Sequence, residues 1–229
     1  MTTIHICDQI TKLQESIRLH EQRYDRPKGS VQLLAVSKTQ AIEVIQEALR
    51  CGQKDFGENY AQELLEKSRA IGQEVAQWHF IGPIQSNKTK LLSETVNWVH
   101  TLDRIKIARR LNEQRPASLP ALNICLQVNL DKEESKSGVA LSELPCLAEA
   151  IVSLENLKLR GLMTIPKPQP DFSSQRKTFA RLRRAQEDLI SQGFSLDTLS
   201  MGMTSDYEAA IAEGATIVRI GTALFGARS

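Results

Sequence analysis

Apolar residues recur along this chain in two alternating rhythms. Residues 5–24 set Ile6, Ile10, Leu13 and Ile17 three or four apart with charges between them, the spacing of one helix face, and Arg26-Pro27-Lys28-Gly29 ends it. The next segment, 31–38, is different: Val31 through Val36 is a short, largely apolar run, the signature of a buried strand, and it stops at Ser37-Lys38. A helical pattern runs from Thr39 to about Cys51, with Gly52 as its stop. The alternation then repeats. Strands are predicted over 54–57, 78–82, 98–101, 122–130, 159–164, 198–201 and 215–220, and helices over 60–71, 87–92, 104–114, 143–152, 172–192 and 206–213.

Strand and helix alternating at this spacing form parallel β-α units, and eight of them in roughly 200 residues is the number that closes a barrel. An open doubly wound sheet competes, but no G-x-G-x-x-G turn follows the first strand. The expected fold is α/β: a single (β/α)8 TIM-type barrel over residues 1–229, with an extra helix at 5–24 ahead of the first strand. No linker or low-complexity run divides it, although Ile165-Pro166-Lys167-Pro168-Gln169-Pro170 makes a stiff loop after the sixth strand.

Composition narrows the function classes. With 29 basic and 27 acidic residues the net charge is +2, too balanced for a nucleic-acid footprint, and Arg181, Arg183 and Arg184 read as a solvated helix face. Cys7, Cys51, Cys125 and Cys146 lie far apart with no C-x-x-C and no histidine at ligand spacing, so reduced thiols and no metal site are expected. Neither a signal segment nor a membrane-spanning run is present, which points to a cytoplasmic protein with no membrane contact. A monomer is expected, because no large apolar helix face is left exposed.

A barrel gathers its working residues at the carboxyl ends of its strands. Those positions are Lys38, Glu58-Asn59, the stretch from His79 to Gln85, Asn129 and Asp131, Met163-Thr164, Ser200 to Met203, and Arg219 to Thr222. The loops after strands seven and eight, Ser200-Met201-Gly202-Met203 and Ile220-Gly221-Thr222-Ala223, offer hydroxyls and open backbone N–H groups, the equipment for a phosphate. Lys38 has two readings: an ammonium reaching out to water, or an amine that desolvation frees to attack an aldehyde as a Schiff-base lysine. Pyridoxal 5'-phosphate joins both features, its aldehyde to Lys38 and its phosphate to Ser200, Gly221 and Thr222. Arg219 would then reach the pyridine nitrogen. A guanidinium keeps its proton, so the ring stays a weak electron sink. The alternative for Arg219 is an ion pair with a neighbour such as Glu58. His79 lies inside a strand and is expected to hydrogen-bond within the barrel wall, and Tyr24, Tyr60 and Tyr207 read as packing residues.

Trp78-His79-Phe80-Ile81-Gly82-Pro83-Ile84-Gln85-Ser86-Asn87-Lys88 resembles the signature segment of the pyridoxal phosphate homeostasis protein family, itself related to the N-terminal barrel of alanine racemase, fold type III. Ala35-Val36-Ser37-Lys38, Phe56-Gly57-Glu58-Asn59-Tyr60, Gly161-Leu162-Met163, Ser200-Met201-Gly202-Met203 and Arg219 through Gly226 match it in order. The resemblance implies that Lys38 carries pyridoxal 5'-phosphate as an internal aldimine, that Ser200, Gly221 and Thr222 hold its phosphate, that Arg219 meets the ring nitrogen and that Asn59 lines the ring pocket. It further implies a carrier and buffer of the cofactor in vitamin B6 and amino-acid/keto-acid homeostasis, without robust catalysis, with pyridoxal-phosphate-dependent apoenzymes as possible recipients. Alanine racemase carries a second domain that supplies a tyrosine opposite the lysine; here the chain ends at Ser229 after the barrel, so that domain is expected to be missing. Two alternatives stay open: a weak racemase or lyase of the same fold, and a cofactor-free Schiff-base aldolase using Lys38.

Overall fold

The computed structural model describes residues 5–72, 74–131 and 137–226. Strands β1 (Gln32–Val36), β2 (Asp55–Glu58), β3 (Gln77–Phe80), β4 (Trp98–Leu102), β5 (Leu122–Gln127), β6 (Leu157–Met163), β7 (Thr198–Ser200) and β8 (Ile217–Ile220) pair in parallel and in sequence order. The ring closes where β8 returns to β1, with Leu34 opposite Arg219 and Ala35 opposite Ile220. Helices α2 (Ile42–Arg50), α3 (Ala61–Ile71), α4 (Thr89–Thr95), α5 (Ile105–Gln114), α6 (Leu144–Val152), α7 (Phe172–Ser191), α8 (Tyr207–Ala212) and α9 (Thr222–Phe225) follow the strands in turn, and α1 (Ile6–Arg23) precedes them. The (β/α)8 barrel with its extra N-terminal helix is therefore the fold of this chain.

Among the differences from expectation are two strand ends and one helix. The fifth strand stops at Gln127 rather than Leu130, because Val128 turns its N–H to Met163 and then bridges to Val139. The third stops at Phe80, where Gly82 passes so close to Asn59 that an added Cβ would lie 2.0 Å from that carbonyl oxygen. The four-residue α9 was not foreseen; it is too short to show a periodicity.

Side chains alternate across each strand and sort into two environments. The outward set, with Phe56, Trp78, Val99, Ile124, Leu199 and Val218 at most 4% exposed, packs under the helices. Each such aliphatic or aromatic side chain contributes about 1.5–3 kcal/mol. The lumen is mixed: Leu34, Ile81 and Ile217 make a small apolar cluster with Val36, while His79, His100, Ser200 and Arg219 are buried polar groups. Burying such groups requires that each be hydrogen-bonded.

Helix α1 buries Ile6, Ile10, Leu13 and Ile17 and packs on α2, α8 and α9. In its last turn the buried Glu21 carboxylate accepts N–H bonds from Gly29 at 2.9 Å and Val31 at 2.7 Å, which sets the chain's entry into β1. One expectation is corrected here. Cys7 and Cys51, read as separate reduced thiols, are joined in a disulfide with Cα atoms 5.2 Å apart. The packing of α1 beside α2 brings together residues 44 apart in sequence, which their spacing could not reveal. Cys125 and Cys146 are free thiols. Among the described residues no helix is long and apolar enough to cross a membrane, and no three His, Cys, Asp or Glu side chains are grouped to hold a metal ion.

Candidate active site

Lys38 stands on a turn that is braced from below. β1 ends at Val36, Ser37 is fully buried, and Thr39 takes φ +65°, a left-handed conformation that is rare for a β-branched residue and costs about 1–3 kcal/mol. The brace is Lys67 of α3. Its Nζ donates to Ser37 O at 2.7 Å, Glu58 Oε1 at 2.8 Å and Glu63 Oε1 at 2.6 Å. Glu58 Oε1 also accepts from the Ser37 hydroxyl at 2.6 Å, and Glu63 Oε1 from the Thr39 N–H at 2.6 Å. Both flanks of Lys38 are thus tied to one ionic cluster. Lys67 is 4% exposed and Glu58 fully buried; that burial raises the Glu58 carboxyl above its ordinary value, with Lys67 and Ser37 opposing the shift.

Lys38 opens into a cleft of about 390 Å³ at the carboxyl ends of the strands. The turn after β1 contributes Lys38 and Gln40, that after β2 Asn59, after β3 Ile81, after β6 Ile165, and after β7 Met203, Thr204 and Ser205. β8 gives Arg219, and the junction with α9 gives Gly221 and Thr222. Among the expected site residues, Lys38, Asn59, Arg219, Gly221 and Thr222 share this one cleft. The Asn59 carboxamide oxygen is buried with no hydrogen-bond partner among the described residues, so it can accept a hydrogen bond from a ligand. Thr204, Ser205 and Thr222 set hydroxyls on the lining beside the first turns of α8 and α9, where a helix leaves N–H groups without internal acceptors. Gly202 makes that turn possible: its φ is +94°, and a Cβ there would sit 2.6 Å from the Ala210 Cβ.

Arg219 lies under the cleft and is 4% exposed. Its Nη1 donates to Ser200 Oγ and its Nη2 to Thr164 O, both at 2.8 Å. Burial pushes the guanidinium down to about 10, with Asp206 opposing, so it stays cationic at neutral pH. The ion pair with Glu58 does not form; Glu58 belongs to Lys67.

Ser200, expected as a phosphate contact, is placed elsewhere. It is fully buried beneath the cleft, and its hydroxyl is engaged by Arg219 and by His100 Nδ1 at 2.8 Å. As the last residue of β7 it points into the lumen, and the hydroxyls at the rim belong to Thr204 and Ser205. The sequence did carry a signal for these two: Asp206 follows them as a helix start, N-cap of α8, accepting the Met203 N–H at 2.6 Å. His79, read as hydrogen-bonded in the barrel wall, is fully buried and bonds to Asp55 and His100. The tyrosines lie outside the cleft lining: the Tyr24 hydroxyl donates to Glu208, the Tyr207 hydroxyl pairs with Ser16, and Tyr60 is 60% exposed.

This combination of a braced lysine, a buried arginine and a hydroxyl-lined rim invites comparison with known barrels. Residues 9–229 match the family model for the alanine racemase N-terminal domain. The pyridoxal phosphate homeostasis protein of Pseudomonas aeruginosa is 56% identical over 223 residues, covering 97% of this chain and 96% of that one. The chain belongs to the pyridoxal phosphate homeostasis protein family. Another family relative, from Escherichia coli K12, is 47% identical over 226 residues, 97% of each chain. Among solved structures, PipY of Synechococcus elongatus with pyridoxal phosphate bound superposes at a TM-score of 0.84 with 33% identity, over 96% of this chain and 100% of that one. Alanine racemase of Bacillus anthracis superposes at 0.70 with 17% identity, over 97% of this chain but 56% of that one, which shows a shared barrel fold.

Proposed function

We propose that this protein holds pyridoxal 5'-phosphate in the Lys38 cleft and acts as a reversible carrier and buffer of it, in intracellular vitamin B6 and amino-acid/keto-acid homeostasis. The single observation that carries the proposal is the donor set collected in one cleft. Lys38 is the amine for an aldehyde, Arg219 a buried cation that donates N–H bonds, and Thr204, Ser205, Gly221 and Thr222 a rim of hydroxyl and N–H groups suited to a phosphate. The unpartnered Asn59 carboxamide oxygen, an acceptor on the same lining, is a contact still to be made. When bound, the cofactor supplies an aldehyde that bonds reversibly to amines and a ring that draws electrons.

The residues around the cleft favour retention over turnover. Lys38 and Arg219 are the titratable side chains on its described lining, and Arg219 holds its proton at neutral pH. Lys38 is then the one group there able to move a proton at a substrate carbon, and a single base serving both faces works slowly. The family relatives carry names of homeostasis proteins rather than of enzymes, which agrees with this reading. A monomeric, cytoplasmic protein that passes its cofactor to apoenzymes completes the proposal.

A transfer assay tests it. Loaded protein is mixed with a pyridoxal-phosphate-dependent apoenzyme, beside free cofactor at equal concentration, and the apoenzyme's activation is timed. Activation by the loaded protein faster than its passive release allows is expected; activation no faster than release would remove direct delivery. Weak racemisation or lyase turnover of single L-amino acids, abolished by Lys38→Ala, would instead favour an enzyme.

A further inference from the structure

Beneath the cleft, Asp55, His79, His100 and Ser200 form an unbroken file of hydrogen bonds that ends on Arg219. His79 Nε2 lies 3.1 Å from Asp55 Oδ1, and His79 Nδ1 lies 2.9 Å from His100 Nε2. His100 Nδ1 is 2.8 Å from Ser200 Oγ, and Arg219 Nη1 is 2.8 Å from the same oxygen. The file crosses the lumen from the first residue of β2, by way of β3, β4 and β7, to β8. Both histidines and Ser200 are fully buried, Trp98 stacks on His79 with ring centroids 5.6 Å apart at 4°, and the Asp55 side chain is 19% exposed.

The two ends of the file dictate its hydrogens. A guanidinium has donors and no acceptor, and an ionised carboxylate has acceptors and no donor. Arg219 therefore donates to Ser200, whose own hydrogen goes to His100 Nδ1. The His100 hydrogen then sits on Nε2 and points at His79 Nδ1, and His79 carries its hydrogen on Nε2, toward Asp55. With both imidazoles neutral, no other arrangement gives each of the four contacts one hydrogen. Every group in the file turns a lone pair toward the guanidinium and a hydrogen toward the carboxylate, a polarity that favours both charges.

We propose that Asp55, His79, His100 and Ser200 are positioning residues, a relay of fixed polarity that sets which N–H groups Arg219 turns into the barrel and which it presents to the cleft. This rests on the reading of Arg219 as the group that meets the cofactor's ring nitrogen. Neutrality of the imidazoles agrees with their surroundings. Burial lowers both below the ordinary histidine value, His100 furthest, because His79 and Arg219 also bear on it, while Asp55 opposes the shift at His79. The charged groups facing the file are Asp55 at one end and, at the other, Arg219 with Asp206 beyond it.

Nitrogen NMR of the histidine-labelled full-length protein, with and without pyridoxal 5'-phosphate, tests the relay directly. Both His79 and His100 are expected as neutral Nε2–H tautomers from about pH 6 to about pH 8. An Nδ1–H tautomer or an imidazolium at either position overturns the relay. Its coupling to the cleft is read by two variants: His100→Leu removes the acceptor for Ser200, and His100→Asn keeps one near the Nδ1 position. Pyridoxal 5'-phosphate affinity is expected to fall about tenfold or more in His100→Leu and to stay within about threefold in His100→Asn. Equal affinities in the parent and both variants, or equal losses in both variants, overturn the coupling. A parent protein with both Nε2–H tautomers that binds no pyridoxal 5'-phosphate supports the relay and overturns the reading of the cleft.

Discussion

Lys67→Met tests how the Lys38 turn is held. The substitution keeps an unbranched, flexible side chain one atom shorter and deletes an ammonium with three acceptors, Ser37 O, Glu58 Oε1 and Glu63 Oε1, all within 2.8 Å. Lys67 is 4% exposed and Glu58 not at all, so the variant strands a carboxylate in the barrel wall. Removing one partner of a buried pair costs about 3–5 kcal/mol. In urea, at about 2–3 kcal/mol per molar, the midpoint should fall by about 1–2.5 M. The loss should also depend on pH. Burial already raises the Glu58 carboxyl in the parent, and without Lys67 the main opposing influence is gone. Between its ordinary unfolded value and its raised folded value, the folded variant keeps a proton on Glu58 that the unfolded chain releases. Stability therefore falls as pH rises through that window, by up to about 1.4 kcal/mol per pH unit, and is recovered toward acid. Glu58→Gln added to Lys67→Met should restore part of the loss. Urea titrations of the parent, single and double variants across pH decide the matter. A loss below about 1 kcal/mol, or one that does not change with pH, would refute the brace.

Thr204→Ala, Ser205→Ala and Thr222→Val should each weaken pyridoxal 5'-phosphate binding about tenfold or more while leaving pyridoxal, which lacks the phosphate, unaffected in absorbance titrations. Ser200→Ala should weaken both ligands alike, because that hydroxyl bonds to Arg219 and not to the rim. Gly202→Ala should destabilise by about 1–3 kcal/mol in urea, since alanine meets both a φ of +94° and the Ala210 Cβ at 2.6 Å. Cys7→Ser should lower stability by about 2–4 kcal/mol under oxidising conditions and make no difference in reductant, as the disulfide closes a 44-residue separation.

What could be read in advance follows from the range over which each signal acts. The barrel was legible because its signal is local and repeated: each strand and helix writes its own periodicity, and eight repeats close a ring. That Lys38, Arg219, Gly221 and Thr222 would meet on one face was legible for the same reason, each lying at the end of a recognisable strand. Ser200, expected at the phosphate, lies a short distance below the rim. One residue inside the strand points into the lumen, whereas Thr204 and Ser205, past the Gly202 turn, reach the rim. The brace and the relay left no such trace. Lys67 occupies an ordinary helical position and meets partners 4, 9 and 30 residues away. His100 meets Ser200 across 100 residues, and Cys7 meets Cys51 across 44, so closure of the fold alone brings them together.

Borohydride reduction of the pyridoxal-5'-phosphate-loaded protein, followed by peptide mass mapping, bears most directly on the central claim. Reduction fixes the cofactor to whichever amine holds it. One phosphopyridoxyl group is expected, on the peptide that carries Lys38, and none there in Lys38→Ala. Label on other lysines with Lys38 unmodified would contradict it.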